Sequence, residues 1–229
     1  MAYATVLLDA DDTLLDYRTC ERSALERCLV EQQLPFEAER DIPLYSEINR
    51  ALWRELENGA LEPAELGVRR FETFCRRRGF AADPDVLSRR YLDHLAGTGM
   101  LIPGARDVLE RLHNRTRLVL ITNGFSRVQR GRIRAAGIVA FFEFIAISEE
   151  LGAQKPDPVI FARVFEHLPG AERGSSLVVG DSLTSDIAGG NAFGIDTCWF
   201  NRGGEQERGD TPVTYEIHAL SQLIPIVLG

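Results

Sequence analysis

No stretch of this 229-residue chain approaches the ~20 consecutive apolar residues that a bilayer crossing requires, and no basic, apolar leader precedes the first strand-like run. A cytoplasmic protein without a membrane partner is the expectation. Cysteine is sparse: Cys20, Cys28, Cys75 and Cys198 show no C-x-x-C spacing and read as reduced core residues. The four histidines show no metal-ligand spacing either. Positive charge is also short. Lys and Arg total 26 against 34 for Asp and Glu, giving a net charge of -8 and a pI near 5.1. That balance argues against gripping the backbone of polymeric nucleic acid. A small phosphorylated substrate stays compatible, because a metal ion, one Lys and backbone N–H groups suffice for a local anion site.

What is present is an ordinary globular composition, 45% hydrophobic and 26% charged, with length for one large core and an inserted subdomain. Short apolar, β-branched runs at residues 4–8, 118–121, 144–147, 177–179 and 195–200 predict buried strands. Helix-like segments at 127–136, 158–167 and 184–193 alternate with the last four, as in a doubly wound parallel sheet of the α/β class. A last short strand near 213–217 and a helix from Ala219 complete the pattern, and the polar, Gly-rich stretch 203–212 predicts a surface loop.

More than a hundred residues separate the first two strands, and most of them carry helical periodicity. Leu25, Cys28 and Leu29 share one face, as do Ile48, Leu52 and Leu56, then Phe71, Phe74 and Cys75, then Leu87, Tyr91 and Leu95. The expectation is a helical cap at 17–97 inserted into an α/β core made of 1–16 and 98–229.

Four strand ends carry chemistry. The first runs into Asp9-Ala10-Asp11-Asp12-Thr13, which alone reads equally as a helix cap or as a ligand-binding edge. The second runs into Thr122-Asn123-Gly124, a plain N-cap or a phosphate cradle of one hydroxyl and free N–H groups. After the third comes Lys155 in Gln154-Lys155-Pro156-Asp157-Pro158, a solvated charge unless it neutralises a phosphate and keeps a nearby carboxylate ionised. The fourth runs into Gly180-Asp181-Ser182, with Asp186 beyond. Beside Asp9 and Asp11, Asp181 supplies the hard oxygen ligands that Mg²⁺ takes.

These pieces, in this order and spanning essentially the whole chain, resemble the haloacid dehalogenase superfamily of aspartyl-phosphate phosphatases. The resemblance implies that Asp9 attacks phosphorus and that Asp11 protonates the leaving alcohol and then activates water. It also implies that Thr122, Asn123 and Lys155 bind phosphate. Asp9, the Asp11 carbonyl and Asp181 would hold Mg²⁺, and Asp186 would orient Lys155 or a metal-bound water. Asp at position 11 favours a phosphatase over a dehalogenase, which does not need that acid. Residues 121–125, 147–152, 52–60 and 70–72 are similar to the pyrimidine 5′-nucleotidase subgroup, which implies a nucleoside monophosphate substrate. Trp53 and Phe71 would then either stack on the base or fill the core.

Two rival readings stand beside this one. The same site serves a sugar phosphate, phosphoglycolate or a phosphomutase. A receiver-like signalling domain also gathers acids, Thr and Lys at strand ends, but has its phosphoacceptor on a middle strand and no helical insert.

Overall fold

The computed structural model describes residues 3–57, 59–204 and 208–229; residues 1–2 of the expected core, Asn58 of the segment compared above and residues 205–207 of the expected loop lie outside them. In chain order the elements are β1 (Thr5–Leu8), α1 (Tyr17–Glu31), α2 (Ala38–Glu57), α3 (Pro63–Arg78), α4 (Pro84–Ala96), α5 (Ala105–Leu112), β2 (Arg117–Thr122) and α6 (Ser126–Ala135). They continue as β3 (Phe144–Ile147), α7 (Ser148–Leu151), α8 (Pro158–Glu166), β4 (Ser176–Gly180), α9 (Ala188–Phe193), β5 (Asp196–Phe200), β6 (Tyr215–Ile217) and α10 (Leu223–Leu228).

Among the described residues the strands form one sheet in the order β3-β2-β1-β4-β5-β6, with every pairing parallel. Parallel strands must be joined by crossovers, and those helices cover both faces. The two-residue period of a strand sorts the core accordingly. Val6, Leu8, Leu118, Leu120, Leu177 and Val179 pack with Val108, Leu112, Ile133 and Leu223 on one face. Leu7, Val119, Ile121 and Val178 pack with Ile160, Phe161, Val164 and Phe193 on the other. This is why the strand segments read as unbroken apolar runs. The helix expected at 184–193 is in two parts, a π-helical turn at Leu183–Ile187 and then α9.

The chain divides into two compact units, one of Arg18–Thr98 and one of Met1–Tyr17 with Gly99–Gly229. The first is built on α1 to α4, and all twelve apolar positions singled out from the sequence are buried there. Phe71 is a core residue, 5.4 Å from the Tyr45 ring and 5.5 Å from that of Tyr91, so it does not serve as an exposed stacking platform. Helix starts follow local rules: Asp83 and Asp157 cap α4 and α8, each followed by proline at the first helical position. All four cysteines are free and buried, and burial pushes Cys28 and Cys198 up to about 12, so they are inert thiols. Among the described residues no helix is long and apolar enough to cross a membrane.

Candidate active site

β1 lies between β2 and β4, so the chain leaves the first strand to one side and later crosses to the other. At such a switch point the strand ends diverge and leave a crevice at the carboxyl edge of the sheet. Asp9 enters it directly from β1. Its N–H donates to the Val179 carbonyl at 2.9 Å, so the backbone is held by β4 while the carboxylate, 5% exposed, faces the crevice.

Lys155 meets it there from the loop before α8. The ammonium is 2% exposed and donates to Asp9 Oδ1 at 2.6 Å, to Asp186 Oδ1 at 2.7 Å and to the Ile121 carbonyl at 3.1 Å. All three donors of the group are used. Lys155 is the single lysine of the chain, every other strong cation being arginine. A compact point charge with three rotatable donors fits three convergent acceptors, where a planar guanidinium would not.

One oxygen from each of Asp9, Asp181 and Asp186 lies within 4.8 Å of the others. Such crowding has a cost visible in the titration of the group. Burial pushes Asp9 up to about 7 against the pull of Lys155, with Asp186 adding to the rise. Burial and then Asp9 and Asp186 push Asp181 well above the usual carboxylate range. Burial works to discharge Lys155, but Asp186 and Asp9 together hold it above the ordinary lysine range. Three acids around one ammonium leave excess negative charge on an all-oxygen donor set. A hard divalent cation fits that arrangement.

Asp186 reaches the cluster from the π-helical turn. Its Oδ2 accepts the Ser182 N–H at 3.1 Å while Oδ1 takes Lys155. The approach is possible only because residue 180 has no side chain: a Cβ there would sit 2.2 Å from Asp186 Cγ. Gly180→Ala is therefore expected to destabilise the fold by about 1–3 kcal/mol and to depress turnover by displacing Asp186. Thermal melts and phosphate-release rates check this, and unchanged values in both would show that the turn yields without cost. The loop on the other side is fixed by Trp199, whose indole N–H donates to the Asp181 carbonyl at 2.9 Å.

The loop after β2 differs in part from the expectation. Thr122 is buried at the crevice, with its hydroxyl 2.7 Å from Gln129 Nε2. The Asn123 side chain is committed to Lys155, donating to its carbonyl at 2.8 Å and accepting its N–H at 2.9 Å. Two N–H groups counted as free are taken: Gly124 donates to Ser148 Oγ at 3.0 Å and Ser126 to Glu149 Oε2 at 2.7 Å. The cradle is thus narrower than the sequence suggested, because two side chains from the start of α7 cap the start of α6.

The three acids after β1 separate. Asp12 takes a left-handed conformation, φ 59°, which Asp tolerates, and its carboxylate accepts the Tyr17 N–H at 3.2 Å, so it is a turn and cap residue. Asp11 turns toward α6, where Arg132 binds Oδ1 and Gln129 Nε2 donates to Oδ2 at 2.9 Å. Gln129 and Arg132 went unnoticed in the sequence. The available signal was two polar residues beside Val128 and Ile133 on the buried stripe of an amphipathic helix.

Comparison with known proteins yields consistent matches. The family model for haloacid dehalogenase-like hydrolases matches residues 3–194. The chain is 36% identical to the pyrimidine 5′-nucleotidase PynA of Streptococcus pneumoniae, over 98% of this chain and 94% of that one. It is 33% identical to the pyrimidine 5′-nucleotidase YjjG of Escherichia coli, over 98% and 99%. The crystal structure of the HAD-hydrolase YfnB from Bacillus subtilis, described as bound to magnesium, superposes with a TM-score of 0.93 at 36% identity, covering 99% of each chain.

Proposed function

The chain belongs to the haloacid dehalogenase-like hydrolases, and from that membership we infer that this phosphoric monoester hydrolase is a Mg²⁺-dependent 5′-nucleotidase acting on pyrimidine nucleoside monophosphates through an aspartyl phosphate. The observation that carries the reading is the ammonium of Lys155 bridging Asp9 and Asp186 beside Asp181. The pyrimidine substrate rests on the two nucleotidase relatives, and the magnesium on the oxygen donor set together with the solved YfnB structure.

In the proposed mechanism Lys155 holds one oxygen of Asp9, which leaves the other to attack phosphorus. A bond forms between Asp9 and phosphorus as the ester P–O bond breaks, and Asp11 gives a proton to the departing 5′-oxygen. Water then attacks the aspartyl phosphate, Asp11 takes its proton, and inorganic phosphate leaves with Asp9 restored. Dividing hydrolysis into two in-line displacements and supplying an acid–base partner to each lowers both barriers. Thr122 and Lys155 receive the phosphate oxygens, and Asp186 orients Lys155. Asp9, Asp181 and the Asp11 carbonyl would hold a divalent cation, which would supply charge neutralisation between carboxylate and phosphate. We assign these roles to a core of residues 1–16 and 98–229, with 17–97 as the cap.

The test is phosphate release across dUMP, dTMP, UMP, purine monophosphates and sugar phosphates. Selective turnover of the pyrimidine nucleotides is expected, and a preference for sugar phosphates would discard the nucleotidase assignment while keeping the chemistry. In the same assay, excess chelator is expected to lower the rate at least about a hundredfold and Mg²⁺ to restore it. Full activity without divalent metal would remove the metal from the mechanism.

A further inference from the structure

We propose that Gln129 and Arg132 are positioning residues that fix the rotation of the Asp11 carboxylate and tie it to Thr122, a role that rests on Asp11 being the acid–base group. The two residues lie one turn apart on α6 and are almost fully buried, at 2% and 0% exposure, whereas the side chain of Asp11 is 30% exposed. Each oxygen of Asp11 has its own donor: Arg132 Nη1 on Oδ1, Gln129 Nε2 on Oδ2 at 2.9 Å. The donors are also joined to each other, with Arg132 Nη1 giving a hydrogen bond to Gln129 Oε1 at 3.1 Å. That bond sets which end of the Gln129 amide faces Asp11. The same Nε2 donates to Thr122 Oγ1 at 2.7 Å, so one amide group spans the acid–base residue and the phosphate-binding hydroxyl. Arg132 is held in turn over the Tyr17 ring, 5.3 Å from its centroid.

A surface acid three residues beyond a strand would rotate freely about χ1 and χ2. Here the carboxylate plane is held by two donors that are themselves fixed by the helix and by each other. An ionised carboxylate accepts about four hydrogen bonds, so both oxygens retain capacity to face a substrate. Holding a proton-transfer group at the reacting atom is worth orders of magnitude in rate, and small misplacement forfeits much of it. The chain thus builds the orientation of Asp11 from a helix 118 and 121 residues away in sequence.

The experiment uses Arg132→Gln and Gln129→Leu, alone and combined with Asp11→Asn, with dUMP and with 2,4-dinitrophenyl phosphate in the presence of Mg²⁺. Each single variant is expected to lower kcat for dUMP by roughly ten- to a hundredfold with little change in KM. The phosphorylation burst with the dinitrophenyl ester, whose leaving group needs no proton, is expected to stay within about threefold of wild type. In the Asp11→Asn background neither substitution is expected to reduce kcat further, since there is no carboxylate left to orient. A loss that multiplies with that of Asp11→Asn, or an equal loss of the dinitrophenyl burst, would assign both residues a general structural role and overturn the proposal. Faster turnover in either variant would also overturn it, by making the clamp a restraint that keeps Asp11 away. Gln129→Leu adds no charge and keeps the helix, so it decides the matter if Arg132→Gln melts below the assay temperature. Undiminished dUMP turnover by Asp11→Asn alone would instead remove Asp11 as the acid–base group, a failure of the mechanism separate from that of the clamp.

Discussion

Asp9→Asn is expected to lower phosphate release by about four orders of magnitude or more while leaving a folded protein. The amide is nearly isosteric with the carboxylate, so the packing between β1 and β4 survives, but it has no charge with which to attack phosphorus. The same substitution should alter stability in a specific direction. The acid is pushed from its ordinary value of 3.8 up to about 7 in the folded protein. Between those two values the native state holds a proton that the unfolded chain has lost. Stability from this group is therefore full below about pH 4 and falls as pH rises toward 7. By linkage the loss is on the order of 4 kcal/mol for a shift of this size. Asparagine does not ionise, so metal-free Asp9→Asn should lose less stability than wild type between pH 4 and pH 8. Adding Mg²⁺ at pH 8 should raise the melting temperature of wild type by mass action, and that of the variant far less. Melts across this pH range, with and without Mg²⁺, would show a flat wild-type profile if burial of Asp9 beside the other acids were unimportant. Appreciable turnover by a well-folded Asp9→Asn enzyme would remove Asp9 as nucleophile.

Lys155→Met should be nearly as damaging to activity and worse for the fold. Removing the ammonium leaves Asp9 and Asp186 buried and facing Asp181 without the charge that links them. Stranding one side of a buried ion pair costs about 3–5 kcal/mol. The deficit should shrink at pH 5, below the raised value of Asp9, where that acid holds a proton and needs its partner less. The rate should fall by about a thousandfold or more, since the phosphate and the nucleophile both lose their counter-charge. Lys155→Arg should not rescue it, because a planar fork cannot reproduce three convergent bonds to Asp9, Asp186 and Ile121. Denaturation at pH 5 and pH 8, alongside rates for both variants, checks these expectations. A Lys155→Arg enzyme with near wild-type rate would reduce the requirement at this position to charge alone.

The strands were legible because their information is local. Residues 177–179 form a run that only a strand buried on both faces would use, and β4 spans Ser176–Gly180. Residues 127–136 and 158–167 carry the helical period, the second with its own cap at Asp157, and α6 and α8 fall within one residue of those limits. Asp9, Thr122, Lys155 and Asp181 stand out for a related reason. Each is a polar residue where an apolar strand ends or in the loop beyond it, and a parallel sheet gathers all its carboxyl ends on one edge.

The sequence by itself determined the alternation of strands and helices, the helical insertion and the sheet edge at which the candidate residues meet, because periodicity and strand termini depend only on neighbouring residues. Tertiary structure alone decided that Asn123 holds Lys155 rather than standing free, that Ser148 and Glu149 occupy two N–H groups of the cradle, and that Asp11 belongs with Gln129 and Arg132. It also decided that Gly180 must be glycine, since the intruding carboxylate comes from the following turn. Such contacts are set by how strands order themselves in the sheet and how far each helix rotates against it. No local period records either quantity; both follow only when the whole core packs.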